Sequence, residues 1–295
     1  MTKTFKFVDF WNGFDWKKDA FFSKLKNFDN LTETQGEPDF LFFSVFGSNN
    51  KKFQKSIKVF YSAENHLAGN HVSEINSNDL DSHFEICDYA LTCYNFEHPK
   101  HFRLPLYFRR FGFDQLYNLE LNKKKFSKEK SKFCAFVFSN GSVLQAHHRN
   151  NFMNFISKKY KTVDCAGRCF NNLGFLAPRD HQGYMNFLSD YKFVISFENS
   201  LGDGYTTEKI IHSYMANTVP VYWGNPTVEK EINKDSMIYV EDFEDALERI
   251  RLLDNSPEEF NKILKEEIFN KHFLKDLSDS SDAFLEKIIR NGDVL

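Results

Sequence analysis

The chain has 295 residues, 41% hydrophobic and 27% charged, which is ample for a large core and suits two domains of ordinary size. A formal net charge of −3 marks no dedicated nucleic-acid binder, and no nucleic-acid partner is expected. No apolar run approaches the roughly 20 residues that span a bilayer. Met1-Thr-Lys-Thr leads straight into an aromatic strand pattern without a signal peptide, so a cytoplasmic protein is expected, at most peripheral to a membrane. Phenylalanine occurs 35 times, for the core first and for sugar stacking second.

In chain order, the first half alternates apolar runs with polar connectors. Strands are expected at 5–11, 39–46, 56–61 and 87–93, with a fifth at 103–107 confined to an edge by Pro105. A helix fits 17–26. This alternation predicts a parallel α/β sheet. Glu64 follows the carboxyl end of the third strand, in Phe60-Tyr-Ser-Ala-Glu-Asn65. An acid there is either a surface carboxylate or a base aimed into a cleft. Asp79-Leu-Asp81 follows a polar loop, not a strand, and reads as a solvated loop or cap. Asn30-Leu-Thr32 and Asn140-Gly-Ser142 are formal glycosylation sequons, here accidental.

Lys123, Lys124, Lys125, Lys128, Lys130 and Lys132 crowd the stretch 118–132, which lacks apolar periodicity. An interdomain linker or exposed loop is expected, with contact to a membrane or glycolipid surface as the alternative. A buried strand at 133–138 opens the second half, and a helix beginning near Ala146 carries Arg149 in its early turns. An arginine there suits a diphosphate through its forked donors. Adjacent His147 and His148 make a poor metal site, since neighbouring side chains rarely face one ion. The five cysteines match no zinc spacing; Cys165 and Cys169 could pair locally, but reduced thiols suit a cytosolic protein. The stretch 165–179 reads as irregular, and 186–191 leads into the strand at 193–197. Further on come a strand at 237–240 and three helical stripes, the last ending the chain.

The central unit is a strand at 193–197, a turn-rich loop through Asn199, Gly202, Asp203 and Gly204, a helix from about Thr206 and a strand at 219–223. Ligands bind past the carboxyl ends of strands in such units. Exposed N–H groups at the helix start, with Lys209 beside them, make an anion site. Glu208 offers two acceptors to ribose or sugar hydroxyls. The residues suggest a nucleoside diphosphate sugar, or else only a well-capped helix with a solvated Glu-Lys pair.

Phe197-Glu-Asn-Ser200, Gly204-Tyr-Thr-Thr-Glu-Lys-Ile210 and Val219-Pro-Val-Tyr-Trp-Gly224 together resemble the signature of the α1,3/4-fucosyltransferases, in particular the bacterial type that builds Lewis antigens. The resemblance implies a GT-B architecture, two Rossmann-like α/β domains facing across a cleft. The corresponding division is an acceptor domain at 1–120, a basic linker at 121–132, a GDP-L-fucose domain at 133–275 and a C-terminal helix at 276–295. It further implies inverting transfer of L-fucose to a GlcNAc hydroxyl, with Glu64 as base. Arg149 and Lys209 would stabilise the departing diphosphate, and Asn199, Tyr205 and Glu208 would hold phosphate, ribose or fucose. No metal or other cofactor is expected. A GT-B transferase using another nucleotide sugar, or a non-catalytic glycan-binding relative, are the competing readings.

Overall fold

A computed structural model describes residues 2–65, 84–123, 129–139 and 146–291. Asp79-Leu-Asp81, Lys124, Lys125, Lys128 and the Asn140-Gly-Ser142 sequon lie outside them. The chain forms two compact units. One comprises Met1–Phe113, Gly202–Tyr205 and Lys275–Leu295; the other comprises Asp114–Leu201 and Thr206–Leu274.

The first unit is built on a parallel sheet of six strands: β1 (Lys3–Val8), β2 (Leu31–Glu33), β3 (Phe40–Phe43), β4 (Ile57–Ser62), β5 (Tyr89–Thr92) and β6 (His101–Arg103), in the order β2-β1-β3-β4-β5-β6. β3 and β5 are buried at every position, as sheets covered on both faces require. Much of the phenylalanine content goes into one aromatic cluster here. Phe7 stacks on Phe42 at 4.9 Å, Phe10 on Phe14 at 4.2 Å, and Phe22 meets Tyr61 edge-on at 5.4 Å. Beneath it lies a buried ion pair, Arg109 with Asp19 at 2.5 Å, the guanidinium 4.8 Å from the Trp11 ring centre. Burial raises the Asp19 pKa, while Arg109 and the N–H groups of Phe21 and Phe22 pull it back.

Two expected elements take other forms. The stretch 17–26 holds short 3-10 turns, Trp16–Lys18 and Phe22–Asn27, instead of an α-helix. The fifth strand stops at Arg103, and Pro105 precedes helix α1 (Leu106–Asn122), where its missing N–H costs nothing. Gly112, at φ 69°, breaks α1 one residue before the boundary between the units.

The second unit carries a five-stranded parallel sheet of β7 (Lys132–Phe136), β8 (Asp164–Cys165), β9 (Tyr191–Ile195), β10 (Val219–Tyr222) and β11 (Ile238–Tyr239), in the order β11-β10-β9-β7-β8. Its helices are α2 (Ala146–Lys159), α3 (His181–Leu188), α4 (Glu208–Met215), α5 (Phe243–Asn255) and α6 (Pro257–Lys265). Four of their starts are capped by short polar side chains: Asp180 for α3, Thr207 for α4, Asp242 for α5 and Ser256 for α6. The core joins Phe136, Phe152, Phe193, Val221, Leu247 and Ile250.

The boundaries differ from the expected ones in two places. Residues 118–122 are helical, and Lys123 is buried, donating to the Glu266 carbonyl at 2.6 Å, while Lys130 donates to the carbonyls of Ser189 and Ala216. These lysines of the basic run are therefore tied into the second unit instead of forming an exposed linker. The last helix, α7 (Phe273–Asn291), belongs mostly to the first unit. There Phe284 stacks on Phe102 at 5.5 Å, Lys24 pairs with Asp282, and Lys3 donates to the Ile289 carbonyl. Among the described residues no helix is long and apolar enough to cross a membrane.

Candidate functional site

β9 is buried except at Lys192, and the chain runs on from Ile195 through Ser196 and Phe197 to Glu198. The ladder to β10 continues past its end, with the N–H of Glu198 donating to the Trp223 carbonyl at 2.8 Å. Glu198 is thereby carried into the interior at 0% exposure. Three donors converge on its carboxylate: the Thr207 N–H and Oγ1 at 2.7 Å each, and Lys209 Nζ at 3.0 Å. Lys209 also donates to Thr207 Oγ1 at 2.9 Å. Burial lifts the Glu198 pKa, and Lys209 and Thr207 pull it back. At Lys209 burial opposes the charge, but Glu198 and Glu208 outweigh it and raise the pKa, so the ammonium is held charged. Its side chain keeps 29% of its exposure, so the charge remains available at the start of α4.

Gly224 explains why this carboxylate fits. At φ +153°, its position would put a side-chain Cβ 2.4 Å from Glu198 Cγ. A second buried network fixes the same turn. Thr206 Oγ1 donates to Glu231 at 2.7 Å, and Asn225 Nδ2 donates to both Thr206 Oγ1 and Glu231. The sequence assigns a role to Lys209 but none to Glu198, Asn225 or Glu231, although Glu198 stands inside the quoted signature. The available signal was an acid directly after an apolar strand, with a lysine following in the next helix.

Arg149, from α2, is 1% exposed and donates from Nη1 to Asn199 Oδ1 at 2.8 Å. Its guanidinium lies 5.1 Å from the Phe138 ring centre, and its charge is felt at Lys209. Arg149, Asn199, Lys209 and Glu208 thus gather at the carboxyl edge of the second sheet, two cations beside a helix start. That arrangement suits a diphosphate. His148 packs its ring at 4.3 Å on Trp223 and at 5.1 Å on Phe243, and burial lowers its pKa. Among the described residues no three His, Cys, Asp or Glu side chains group as a metal site requires. Cys165 is a buried thiol and Cys169 an exposed one.

The other two candidates lie in the first unit. Glu64 is half-buried, two residues past the end of the interior strand β4, and its N–H donates to Ser62 Oγ. Its neighbour Asn65 is buried and accepts from the Tyr94 hydroxyl at 2.9 Å. Tyr205 is buried and packs with Cys93 and Tyr94. Gly204, at φ +84°, lets this segment lie against the Cys93 carbonyl, where a Cβ would come to 2.5 Å.

The family model "Glycosyltransferase family 10 (fucosyltransferase) C-term" matches residues 127–272, and the model "Alpha-(1,3)-fucosyltransferase FucT N-terminal domain" matches residues 5–109. The chain belongs to the family 10 fucosyltransferases. Alpha-(1,3)-fucosyltransferase FucT of Helicobacter pylori is 27% identical over 296 residues, covering 87% of this chain and 58% of that protein. The mouse 4-galactosyl-N-acetylglucosaminide 3-alpha-L-fucosyltransferase 9 is 33% identical over 139 residues, covering 46% of this chain and 33% of that one. This family member spans 26% to 58% of the length of the first curated relatives it matches. A crystal structure of an alpha1,3-fucosyltransferase with GDP superposes with a TM-score of 0.75 at 24% identity, over 98% of this chain and 90% of that one. The fold is therefore GT-B, an α/β architecture with two parallel sheets.

Proposed function

We propose that this protein transfers L-fucose from GDP-L-fucose to O3 of an N-acetylglucosamine in a Lewis-type glycan, inverting the anomeric carbon and using no metal. The acceptor oxygen forms a bond to the fucose anomeric carbon as the bond from that carbon to the diphosphate breaks. Glu64 takes the hydroxyl proton, and GDP departs with the electron pair. Arg149 and Lys209 neutralise the charge that grows on the leaving phosphate, in the preorganised way that makes such groups effective. Asn199, Tyr205 and Glu208 hold the rest of the donor.

The observation that carries this reading is the pair of cations at the α4 start, with Lys209 held charged by Glu198. Likeness to crystal structures named for GDP and GDP-fucose supports the donor, and the mouse relative's name supports the acceptor. Calorimetric titration with GDP-fucose, GDP-mannose and a UDP-sugar tests the donor. Selective binding of GDP-fucose is expected, and equal or absent binding would remove the assignment. A Glu64→Ala variant that binds donor without turnover separates an enzyme from a glycan-binding relative.

A further inference from the structure

Between β8 and α3 the chain makes a tightly tied loop, 166–178, that exposes apolar side chains. Its two ends are joined by the Ala177 N–H donating to the Ala166 carbonyl at 2.9 Å. Inside it, Ala166 bridges Asn171, and the Gly167 N–H donates to the Phe170 carbonyl at 3.0 Å. Asn171 Oδ1 accepts from the N–H groups of Leu173 and Gly174, and its Nδ2 donates to the Phe175 carbonyl. Asn172 ties the loop to β8 through Val163 and Cys165. Gly167 is pressed so closely on Phe138 that a Cβ would come to 2.2 Å from its carbonyl oxygen. Yet this fixed loop leaves Phe170 at 41%, Phe175 at 51% and Leu176 at 49% exposure.

Single exposed apolar residues are ordinary, but two phenylalanines and a leucine held out by a self-bonded loop mark an interaction surface. Exposed Arg168 and Arg179 flank them, and although Asp180, which caps α3, keeps its own charge beside them, the stretch stays net positive. Aromatic and aliphatic tips beside arginines suit an anionic bilayer interface: the rings enter the headgroup boundary and the guanidinium groups meet lipid phosphate. We propose that loop 166–178 is a membrane-docking loop that seats the second unit on an anionic lipid surface.

The loop leaves the carboxyl end of β8, the same edge of the sheet that carries Arg149, Asn199 and Lys209 past β7 and β9. From β8 to β9 is two strand spacings, about 10 Å. Docking through the loop would bring that edge to the membrane, where lipid-linked acceptors reside. This consequence rests on the proposed transfer; the docking itself does not.

The test is co-sedimentation of the full chain with vesicles of phosphatidylcholine alone and with phosphatidylglycerol added. Wild type should pellet with the anionic vesicles. A Phe170→Ser/Phe175→Ser/Leu176→Ser variant should lose about tenfold or more in partitioning, from the apolar area no longer buried. An Arg168→Gln/Arg179→Gln variant should lose about thirtyfold on anionic vesicles, at roughly 1 kcal/mol per charge, and nothing on neutral ones. Melting temperature and turnover on a soluble acceptor should stay at wild-type values in both. A Phe175→Trp variant gives a reading independent of folding losses, since its added indole emission should shift to the blue with anionic vesicles. Wild type failing to pellet with either vesicle, the triple variant pelleting as wild type does, or an unshifted emission from the Phe175→Trp variant would overturn the proposal.

Discussion

Replacing Glu198 with glutamine removes a charge and an acceptor oxygen from a side chain of 0% exposure. The amide oxygen can still accept from the Thr207 N–H, but the amide nitrogen then faces Lys209, which has no acceptor to offer. Breaking a buried pair typically costs about 3–5 kcal/mol; because Lys209 is 29% exposed and can turn to water, about 2–3 kcal/mol is the expected loss. For a unit of this size that lowers the melting temperature by roughly 4–12 °C. Lys209→Met should be worse at high pH than at low pH. It strands the Glu198 charge, and the raised pKa of that carboxyl lets protonation relieve the burial as pH falls. A double-mutant cycle of Glu198→Gln with Lys209→Met, read by thermal and urea unfolding, should give a coupling of about 2 kcal/mol. Additivity within about 0.5 kcal/mol would refute the reasoning, because it would mean the two groups do not support each other.

Gly224→Ala forces a Cβ to within 2.4 Å of Glu198 Cγ at φ +153°, and should cost about 3 kcal/mol or more in urea unfolding. The Asp254 side chain is 3% exposed and accepts from Lys161 at 2.5 Å and Lys192 at 2.7 Å. Burial raises its pKa, but these cations and Tyr160 win and hold it below the ordinary value of 3.8. Its contribution is therefore complete above that value and lost as pH falls through the lower folded pKa. Asp254→Asn should lower stability near neutrality by about 2 kcal/mol and flatten the acid limb of a stability–pH curve. An acid limb as steep as wild type would contradict this. Glu64→Gln should lower kcat by about a hundredfold to ten-thousandfold with GDP-fucose affinity unchanged, as loss of a general base requires.

The parallel sheets were legible because β3, β5, β9 and β10 are apolar runs bounded by polar residues. β2 was not, since only Leu31 of its three residues is buried. α3 is eight residues long with few buried positions, and only its cap, Asp180, was a usable signal. The basic run misled because lysine composition cannot show that Lys123 and Lys130 reach backbone carbonyls of the second unit. Pro105 suits a strand edge and the start of the helix at Leu106 equally, so the sequence does not choose between them. At the site, the cations were legible from their place near helix starts. Glu198 was marked only by an acid after the strand and a lysine in the next helix, because its burial arises from packing against Gly224, on the far side of α4 in the chain.

The most direct test of the account is incubation with GDP-L-fucose and N-acetyllactosamine in EDTA, following GDP and fucosylated product together. Equimolar GDP and a single O3-fucosylated product are predicted, with both lost in Glu64→Gln. Turnover that appears only when manganese is added would contradict the metal-free chemistry. An absence of both GDP-fucose binding and turnover would contradict the assignment itself.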